Sequence, residues 1–303
     1  MHFRHFAPLL LVTLAAVAAP APLREYLDYP SRVDPQLRLF ARFECTAPSG
    51  ILLVNMHGWH GAVKKPHTDD VPDPLAKNYF VISPEMRGRG DATGQPDCNG
   101  WELQDVIDAV EFARRHYRDR IASPELVFLS GGSGGGGNVF ALIGKFPDTF
   151  AAARAYYGIS DYALWHTFDR KGEFRDELEG INGKDPKGRP PWIGGSPETN
   201  PEAYRSRGGL TTVANLLTPT LVFHGADDAR VPVLHAVLVN PRAPCPRAPS
   251  TAPMTPAPGP TPTGRPCPRP AKDLRQAGQR WFRARGAANV PDALGADCRI
   301  CAA

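Results

Sequence analysis

The stretch Leu126–Asn138, which reads LVFLSGGSGGGGN, decides the fold of this chain, because an apolar run leads directly into one serine among six glycines. Residues 131–135 fit the G-x-S-x-G pattern of a nucleophile elbow, a sharp strand-to-helix turn that exposes a serine oxygen. Gly132, Gly134 and Gly137 also fit the G-x-G-x-x-G pattern of a dinucleotide-binding turn. The loop alone leaves both interpretations open.

The pattern on either side of the loop predicts alternating strands and helices. Five short apolar runs have the length of buried strands: 51–56, 79–83, 126–130, 153–157 and 220–224. Residues 101–115 place apolar side chains at helical spacing with acidic residues near the start, and residues 138–145 are also predicted to be helical. This alternation predicts a mostly parallel sheet with helices on both faces.

Three short motifs follow predicted strands, at the edge where an open parallel sheet binds its ligands. They are 57–61 (HGWHG), the glycine loop and 224–232 (HGADDARVP). A dinucleotide site would leave the first and third motifs unexplained, and a P-loop would need Lys-Ser/Thr after its last glycine. A nucleophile elbow uses all three.

The elbow interpretation assigns a chemical role to three residues. Ser133 is the predicted nucleophile. The amide of Gly134, at the predicted helix N-terminus, and the amide of Trp59, beyond the first strand, are the predicted donors to an oxyanion.

With these motifs the sequence resembles an α/β-hydrolase of the prolyl oligopeptidase (S9) type and is also similar to dienelactone-hydrolase-like esterases. The resemblance covers roughly residues 48–236. It rests on an ordered set of motifs: His57-Gly58, Arg87–Gly90 (RGRG), Gly131–Gly136 (GGSGGG), Phe146–Phe150 (FPDTF), Gly158–Asp161 (GISD) and His224–Pro232.

The resemblance implies a serine hydrolase that cleaves peptide or ester bonds through an acyl-enzyme on Ser133. By the same resemblance Asp228 is the acid that orients the catalytic base, and Asp227 is a turn residue. Small peptides or esters are the implied substrates, no cofactor or metal ion is implied, and the choice between peptidase and esterase stays open.

The sequence departs from the family after the acid. The family places its catalytic histidine roughly thirty residues further on, in a Gly-His turn, but the last histidine of this chain is His235, seven residues after Asp228. That spacing makes His235 a poor candidate for the base. No final strand, amphipathic helix or Gly-His turn is recognisable after about residue 237. We therefore expect an α/β-hydrolase fold that lacks its usual last strand and helix, and an impaired or catalytically inactive protein.

The tail from residue 241 to 303 differs in composition from the rest. Twelve of residues 241–270 are proline, and none is Leu, Ile, Val or aromatic. Such a segment buries too little apolar surface to offset its ordering entropy, so we expect the tail to be disordered. Its Pro/Arg/Ala-rich composition is typical of translation in the wrong reading frame of a GC-rich gene. Our hypothesis is a frameshift or equivalent rearrangement; the alternative is a natural linker followed by a small module.

The remaining boundaries follow from composition. Residues 1–18 have the basic start, short apolar stretch and Ala-Val-Ala ending of a signal peptide, which predicts a secreted or periplasmic protein; a buried N-terminal helix is the alternative. Residues 22–240 are the predicted catalytic domain, with 163–210 as an insertion over the site. No later segment is long and apolar enough to predict a membrane span.

Charge and cysteines exclude other classes. The formal net charge is +4, but the tail after residue 240 holds ten basic and three acidic residues, so a basic nucleic-acid-binding face is not predicted. Cys45 and Cys98 lie in the well-patterned part and could pair in an exported protein. Residues 298–301 have C-x-x-C spacing, but no second pair accompanies them, which argues against a zinc site.

Overall fold

The structure, a computed structural model, describes residues 21–46, 50–63, 65, 73–169, 171–179, 193–239 and 298–301. These residues contain one eight-stranded sheet in the order β1-β2-β4-β3-β5-β6-β7-β8. The strands are β1 Leu23–Pro30, β2 Arg38–Cys45, β3 Leu52–Met56, β4 Phe80–Pro84, β5 Val127–Gly132, β6 Ala152–Tyr156, β7 Thr220–Phe223 and β8 Cys298–Cys301. The β1–β2 and β2–β4 pairs are antiparallel and all the others are parallel.

In the part of the chain that the structure describes, six α-helices connect the strands: α1 Glu102–His116, α2 Gly134–Lys145, α3 Tyr162–Phe168, α4 Arg175–Glu179, α5 Pro201–Arg207 and α6 Leu234–Val239. Short 3-10 helices occupy Pro74–Lys77 and Gly209–Asn215. Helix α1 carries acidic residues in its first turn and basic residues in its last, which complements the helix dipole. Its apolar stripe and nearly all of α2 are buried in the main core against the sheet.

The predicted strands and helices between residues 51 and 224 are confirmed, with ends shifted by a few residues. Helix α2 begins four residues earlier than predicted. Its first turn consists of glycines, which are weak helix formers and therefore give no helical signal in the sequence. Strands β1 and β2 were not predicted. In β2 the residues Leu39, Ala41, Phe43 and Cys45 are buried in the core and alternate with Arg38, Phe40, Arg42 and Glu44. That period of two was available in the sequence.

The expectation that the sheet lacks its last strand is wrong. Strand β8 pairs in parallel with β7, in a register that sets Cys298 opposite Thr220 and Cys301 opposite Phe223. A parallel ladder is formed by backbone groups, so a four-residue segment can extend the sheet without the apolar pattern by which a strand is recognised. The rest of the predicted disordered tail, the missing final helix and the signal peptide lie outside the described residues.

The possible Cys45–Cys98 disulfide is also absent: both cysteines are buried and free. Cys45 ends β2 and packs in the main core, whereas Cys98 belongs to a second apolar cluster built around α3. The two thiols therefore lie in different layers of the fold. Among the helices that the structure describes, none combines the length and the hydropathy needed to cross a bilayer.

The sheet brings the three sequence motifs to one edge. Strands β3, β5 and β7 run parallel within the order β3-β5-β6-β7, so their carboxyl ends point the same way. Residues 57–61, the glycine loop and residues 224–232 follow these three ends. The predicted nucleophile, oxyanion donors and acid are thereby collected in one region of the molecule.

Candidate active site

Ser133 lies at the apex of a strand–turn–helix elbow between β5 and α2, as the sequence predicts. Its backbone has φ +56° and ψ −122°, a conformation that a residue with a side chain rarely adopts. The turn is held in place because the Ser133 amide donates to the Tyr156 carbonyl at 2.9 Å and the Ser133 carbonyl accepts from Gly137 at 3.0 Å. Strain that is imposed in this way is typical of a nucleophile elbow, and the serine is half-buried rather than enclosed.

The glycines around Ser133 are explained by close packing of backbone on backbone. A β-carbon on Gly131 would lie 2.5 Å from the Gly135 carbonyl oxygen. One on Gly135 would lie 2.6 Å from the carbonyl oxygens of both Met56 and His57. The loop is therefore glycine-rich because β3 and the first turn of α2 approach each other, which favours the elbow over a dinucleotide-binding turn.

The two predicted oxyanion donors are neighbours. A β-carbon on Gly134 would come within 2.7 Å of the Trp59 nitrogen and 2.8 Å of the Trp59 α-carbon. The backbone of the 57–61 loop thus lies directly against the first residue of α2, on the side of the elbow where Ser133 sits. This adjacency is what a pair of amide donors to one oxygen requires.

The loop that carries Trp59 is itself fixed by hydrogen bonds. The Met86 amide donates to His57 Nε2 at 3.3 Å, so the proton of a neutral His57 is on Nδ1, which lies 2.9 Å from the Gly58 carbonyl oxygen. Burial lowers the pKa of His57, in keeping with this neutral form. Arg89 donates to the Trp59 carbonyl at 2.7 Å. His57 is therefore a structural residue of the oxyanion loop.

A buried asparagine, Asn99, is hydrogen-bonded to α2, the helix that follows Ser133. Asn99 is fully buried, and both it and Cys98 have positive φ, +67° and +52°. The Asn99 side chain donates to the carbonyls of Gly137 and Arg207, at 3.3 and 3.1 Å, and accepts from Asn138 at 2.5 Å. These bonds tie the first turn of α2 to the end of α5. This residue could not be found from the sequence, because an asparagine in a loop carries no signal by itself.

Asp228 lies in the turn after β7 and is half-buried, whereas Asp227 is exposed. One Asp228 carboxylate oxygen accepts from the amides of Arg230 and Val231, each at 2.9 Å. The other lies 3.9 Å from His224 Nε2. Two backbone donors hold the carboxylate in one orientation, as a residue that positions a base requires; its role as the catalytic acid stays a prediction.

The structure gives no support to His235 as the base. His235 is the second residue of α6 and is fully buried. Its Nδ1 lies 3.3 Å from both the amide nitrogen and the hydroxyl oxygen of Ser160. His224 is buried as well, and its Nε2 contacts the Val231 carbonyl at 2.6 Å. Burial, followed by the neighbouring His224, lowers the pKa of His235 to about 3. A neutral imidazole enclosed in this way is a structural group.

The buried imidazole predicts a pH-dependent loss of stability. His235 stays neutral in the folded chain down to pH about 3, whereas in the unfolded chain it takes up a proton below about pH 6.5. The contribution of neutral His235 to the free energy of unfolding is therefore fully present above pH 6.5. It is lost as the pH falls, by up to about 1.4 kcal/mol per pH unit. Urea unfolding at pH 7.5, 6 and 5 should show His235→Asn losing less stability than the unchanged chain. Changing the exposed His116 to asparagine should leave the pH dependence as it is in the unchanged chain. Parallel curves of the free energy of unfolding against pH for all three proteins would contradict the conclusion that His235 is buried and neutral.

Two further residues near the elbow were not found by sequence reasoning. Tyr157, directly after β6, has φ +39° and is 45% exposed; a β-carbon on Gly132 would lie 3.1 Å from its hydroxyl oxygen. Glu177 on α4 accepts a hydrogen bond from the Trp59 indole at 2.7 Å. The predicted insertion 163–210 therefore does contact the oxyanion loop, but nothing in its charged sequence identifies Glu177 as the contacting residue.

Comparison with known proteins agrees with this geometry. The chain is 24% identical over 167 residues to the uncharacterized peptidase YtmA of Bacillus subtilis, which is 54% of this chain and 58% of that protein. It is 27% identical over 139 residues to an acylamino-acid-releasing enzyme of Arabidopsis thaliana, 43% of this chain and 16% of that protein. The chain thus spans less than two thirds of the length of either relative.

Solved structures share the fold. The acylaminoacyl peptidase of Pyrococcus horikoshii superposes with a TM-score of 0.58 at 18% identity, over 73% of this chain and 35% of that one. A puromycin-hydrolyzing peptidase of Mycobacterium tuberculosis gives 0.55 at 23% identity, over 72% and 32%. These likenesses confirm an α/β-hydrolase fold. The profile of the prolyl oligopeptidase family matches residues 66–240, more than half of the chain, and the chain therefore belongs to that family of peptidases.

Proposed function

We propose that the chain is a serine hydrolase that cleaves a peptide or ester bond through an acyl-enzyme on Ser133. The observation that carries the proposal is the strained elbow of Ser133 with the backbone of Gly134 and Trp59 packed against each other beside it. The similar acylaminoacyl and puromycin-hydrolyzing peptidases support a short peptide or an acylated amino acid as the substrate class. The signal-like residues 1–18 support export, to a secreted or periplasmic location.

The chemistry begins with attack of the Ser133 hydroxyl oxygen on the substrate carbonyl carbon. The new C–O bond forms while the carbonyl electron pair moves to oxygen, where the Gly134 and Trp59 amides would stabilise the negative charge. Collapse of this intermediate breaks the bond to the amine or alcohol, which leaves with a proton. Water then repeats the attack on the ester of Ser133, which releases the carboxylic acid and restores the serine.

The proton of Ser133 needs an acceptor in the first step and the leaving group needs a donor in the second. In the family a histidine oriented by the acid does both, and Asp228 is held in a suitable orientation for it. The last histidine in the sequence, His235, is enclosed beside Ser160. We therefore propose that turnover is impaired.

A catalytically inactive hydrolase-fold protein is the second candidate, favoured by the same lack of a histidine after His235. Reaction with a fluorophosphonate probe separates the two, because labelling needs a reactive serine. We expect slow labelling that maps to Ser133, is lost in Ser133→Ala and persists in Ser206→Ala, which alters an exposed serine on α5. No labelling of the unchanged chain at high probe concentration would instead establish the inactive alternative.

A further inference from the structure

Helix α4 is joined to the oxyanion loop through one carboxylate. The Trp59 indole N–H donates to Glu177 Oε2 at 2.7 Å, although the two residues are 118 positions apart in sequence. His60 Nε2 lies 2.8 Å from the other carboxylate oxygen. The Glu177 side chain is only 13% exposed, so these contacts are largely shielded from water.

Trp59 is held on its remaining sides as well. Arg89 donates to its carbonyl oxygen at 2.7 Å. Its ring meets Trp165 edge-on at a centroid distance of 5.0 Å and lies 6.0 Å from the Tyr162 ring. The aromatic contacts restrict the position of the indole, and Glu177 accepts a directional hydrogen bond from its N–H. The carboxylate therefore sets the rotation of Trp59 about its side-chain bonds.

We propose that Glu177 is a positioning residue, which holds Trp59 so that its backbone amide points, together with that of Gly134, at the developing oxyanion. The inference rests on the proposed function. An oxyanion donor is effective when it is oriented before the charge develops, since it then needs no reorganisation during the reaction. Trp59 follows Gly58 in a loop, and a tethered indole limits how far that loop can turn.

The charge of Glu177 is balanced locally. Burial alone would raise the pKa of this carboxyl, but the hydrogen bonds from His60 and Trp59 outweigh burial and hold the pKa below its ordinary value. Arg89 adds a positive charge nearby. A lone carboxylate near an oxyanion would oppose the reaction, so hydrogen-bond geometry rather than negative charge is what Glu177 contributes.

The neighbouring Glu179 provides a matched control. It lies on the same helix, is similarly buried and pairs with a histidine, His166. Its carboxylate pairs with α3 rather than with the oxyanion loop. Replacing either glutamate removes a similarly buried carboxylate from α4, but of the two it is Glu177 that accepts the hydrogen bond of the Trp59 indole.

The test compares Glu177→Ala, Glu177→Gln, Trp59→Phe, the double variant Glu177→Ala/Trp59→Phe and Glu179→Ala in the full chain. The rate of fluorophosphonate labelling, kcat and KM for an activated ester, and the thermal midpoint are measured for each. We expect Glu177→Ala and Trp59→Phe each to lower labelling and kcat ~10- to 100-fold with little change in KM, since removal of an oxyanion donor costs ~10²–10³. The double variant should lose no more than either single one. Glu177→Gln, which keeps an acceptor for the indole, and Glu179→Ala should stay near the unchanged chain.

A second readout reports the contact itself. In ¹H–¹⁵N spectra the Trp59 indole resonance, assigned from its absence in Trp59→Phe, should be protected from exchange in the unchanged chain and in Glu177→Gln but not in Glu177→Ala. Equal labelling of Glu177→Ala and Glu179→Ala, or additive losses in the double variant, would overturn the positioning role alone. Failure of the unchanged chain to label would overturn the proposed function and, with it, this inference.

Discussion

Replacement of residues 237–303 by the translation of the alternative reading frame is expected to raise ester and peptide turnover by several orders of magnitude. A serine hydroxyl is a poor nucleophile at neutral pH without a base to take its proton. Loss of one triad member leaves a residual ~10³–10⁴-fold over water, which comes from the oxyanion hole and binding. The sequence contains no histidine after His235, and a restored Gly-His turn would supply one as the base.

The measurement is kcat/KM for an activated ester and for a short peptide, in the present chain and in the exchanged one. Two controls belong with it: the exchanged chain with Ser133→Ala, and the exchanged chain with its new histidine changed to alanine. Both should return to background. Equal turnover with the two tails would contradict the hypothesis that the catalytic histidine was lost with the original tail. The first residue to mutate in search of the base would then be His60, which is exposed in the loop beside Trp59.

The same exchange should also raise the thermal midpoint. On the sheet face opposite α1 and α2, a groove of about 150 Å³ is lined by Leu53, Phe128, Leu221 and neighbouring residues. Leu221 in β7 is 43% exposed. A restored amphipathic helix packed on this face would bury that apolar area, which stabilises by about 25 cal/mol per Å² removed from water.

Gly134→Ala is the second change with a large expected effect. Its β-carbon would stand 2.7 Å from the Trp59 nitrogen, so the backbone of the oxyanion loop would have to move away. Both predicted donors are displaced together, and we expect the labelling rate and kcat to fall by about 10²–10³ with KM little changed. Stability should change less, because alanine is a better helix residue than glycine by roughly 1 kcal/mol, which offsets part of the strain.

Gly225→Ala is the matched control, since a β-carbon at Gly225 would meet nothing within 4 Å. It lies in the turn of Asp228 and should leave the labelling rate within a factor of two or so of the unchanged chain. If Gly134→Ala labels as fast as Gly225→Ala, the Gly134 and Trp59 amides do not form the oxyanion site. The thermal midpoints of both variants show whether a slow rate reflects lost folding.

The elements that could be predicted are those whose signal is local. The run LVFLS, the glycines around Ser133 and the apolar residues after Asn138 lie within about twenty positions, and they specify a strand, a tight turn and a helix from short-range sterics. The same holds for α1, whose apolar period and end charges are contained in one segment. Strand β2 has an equally local period of two in its core residues, but Phe40 interrupts the polar positions between them and weakens that signal.

The elements that could not be predicted depend on a partner elsewhere in the chain. Strand β8 exists because β7 offers backbone groups to pair with, and side-chain pattern reports little of such pairing. Cys45 and Cys98 looked alike in sequence, but they are buried in separate clusters.

For the site, the sequence alone predicted the elbow of Ser133, the adjacent Gly134, the Trp59 loop and Asp228 at successive strand ends. Hydrophobic period and turn chemistry are properties of neighbouring residues, so they can be interpreted without the fold. Only the tertiary structure decided that His235 is enclosed beside Ser160, that Asn99 holds the first turn of α2 and that Glu177 receives the Trp59 indole. These contacts join residues 38 to 118 positions apart, and they form only when the sheet order and the packing of helices on it bring those residues together.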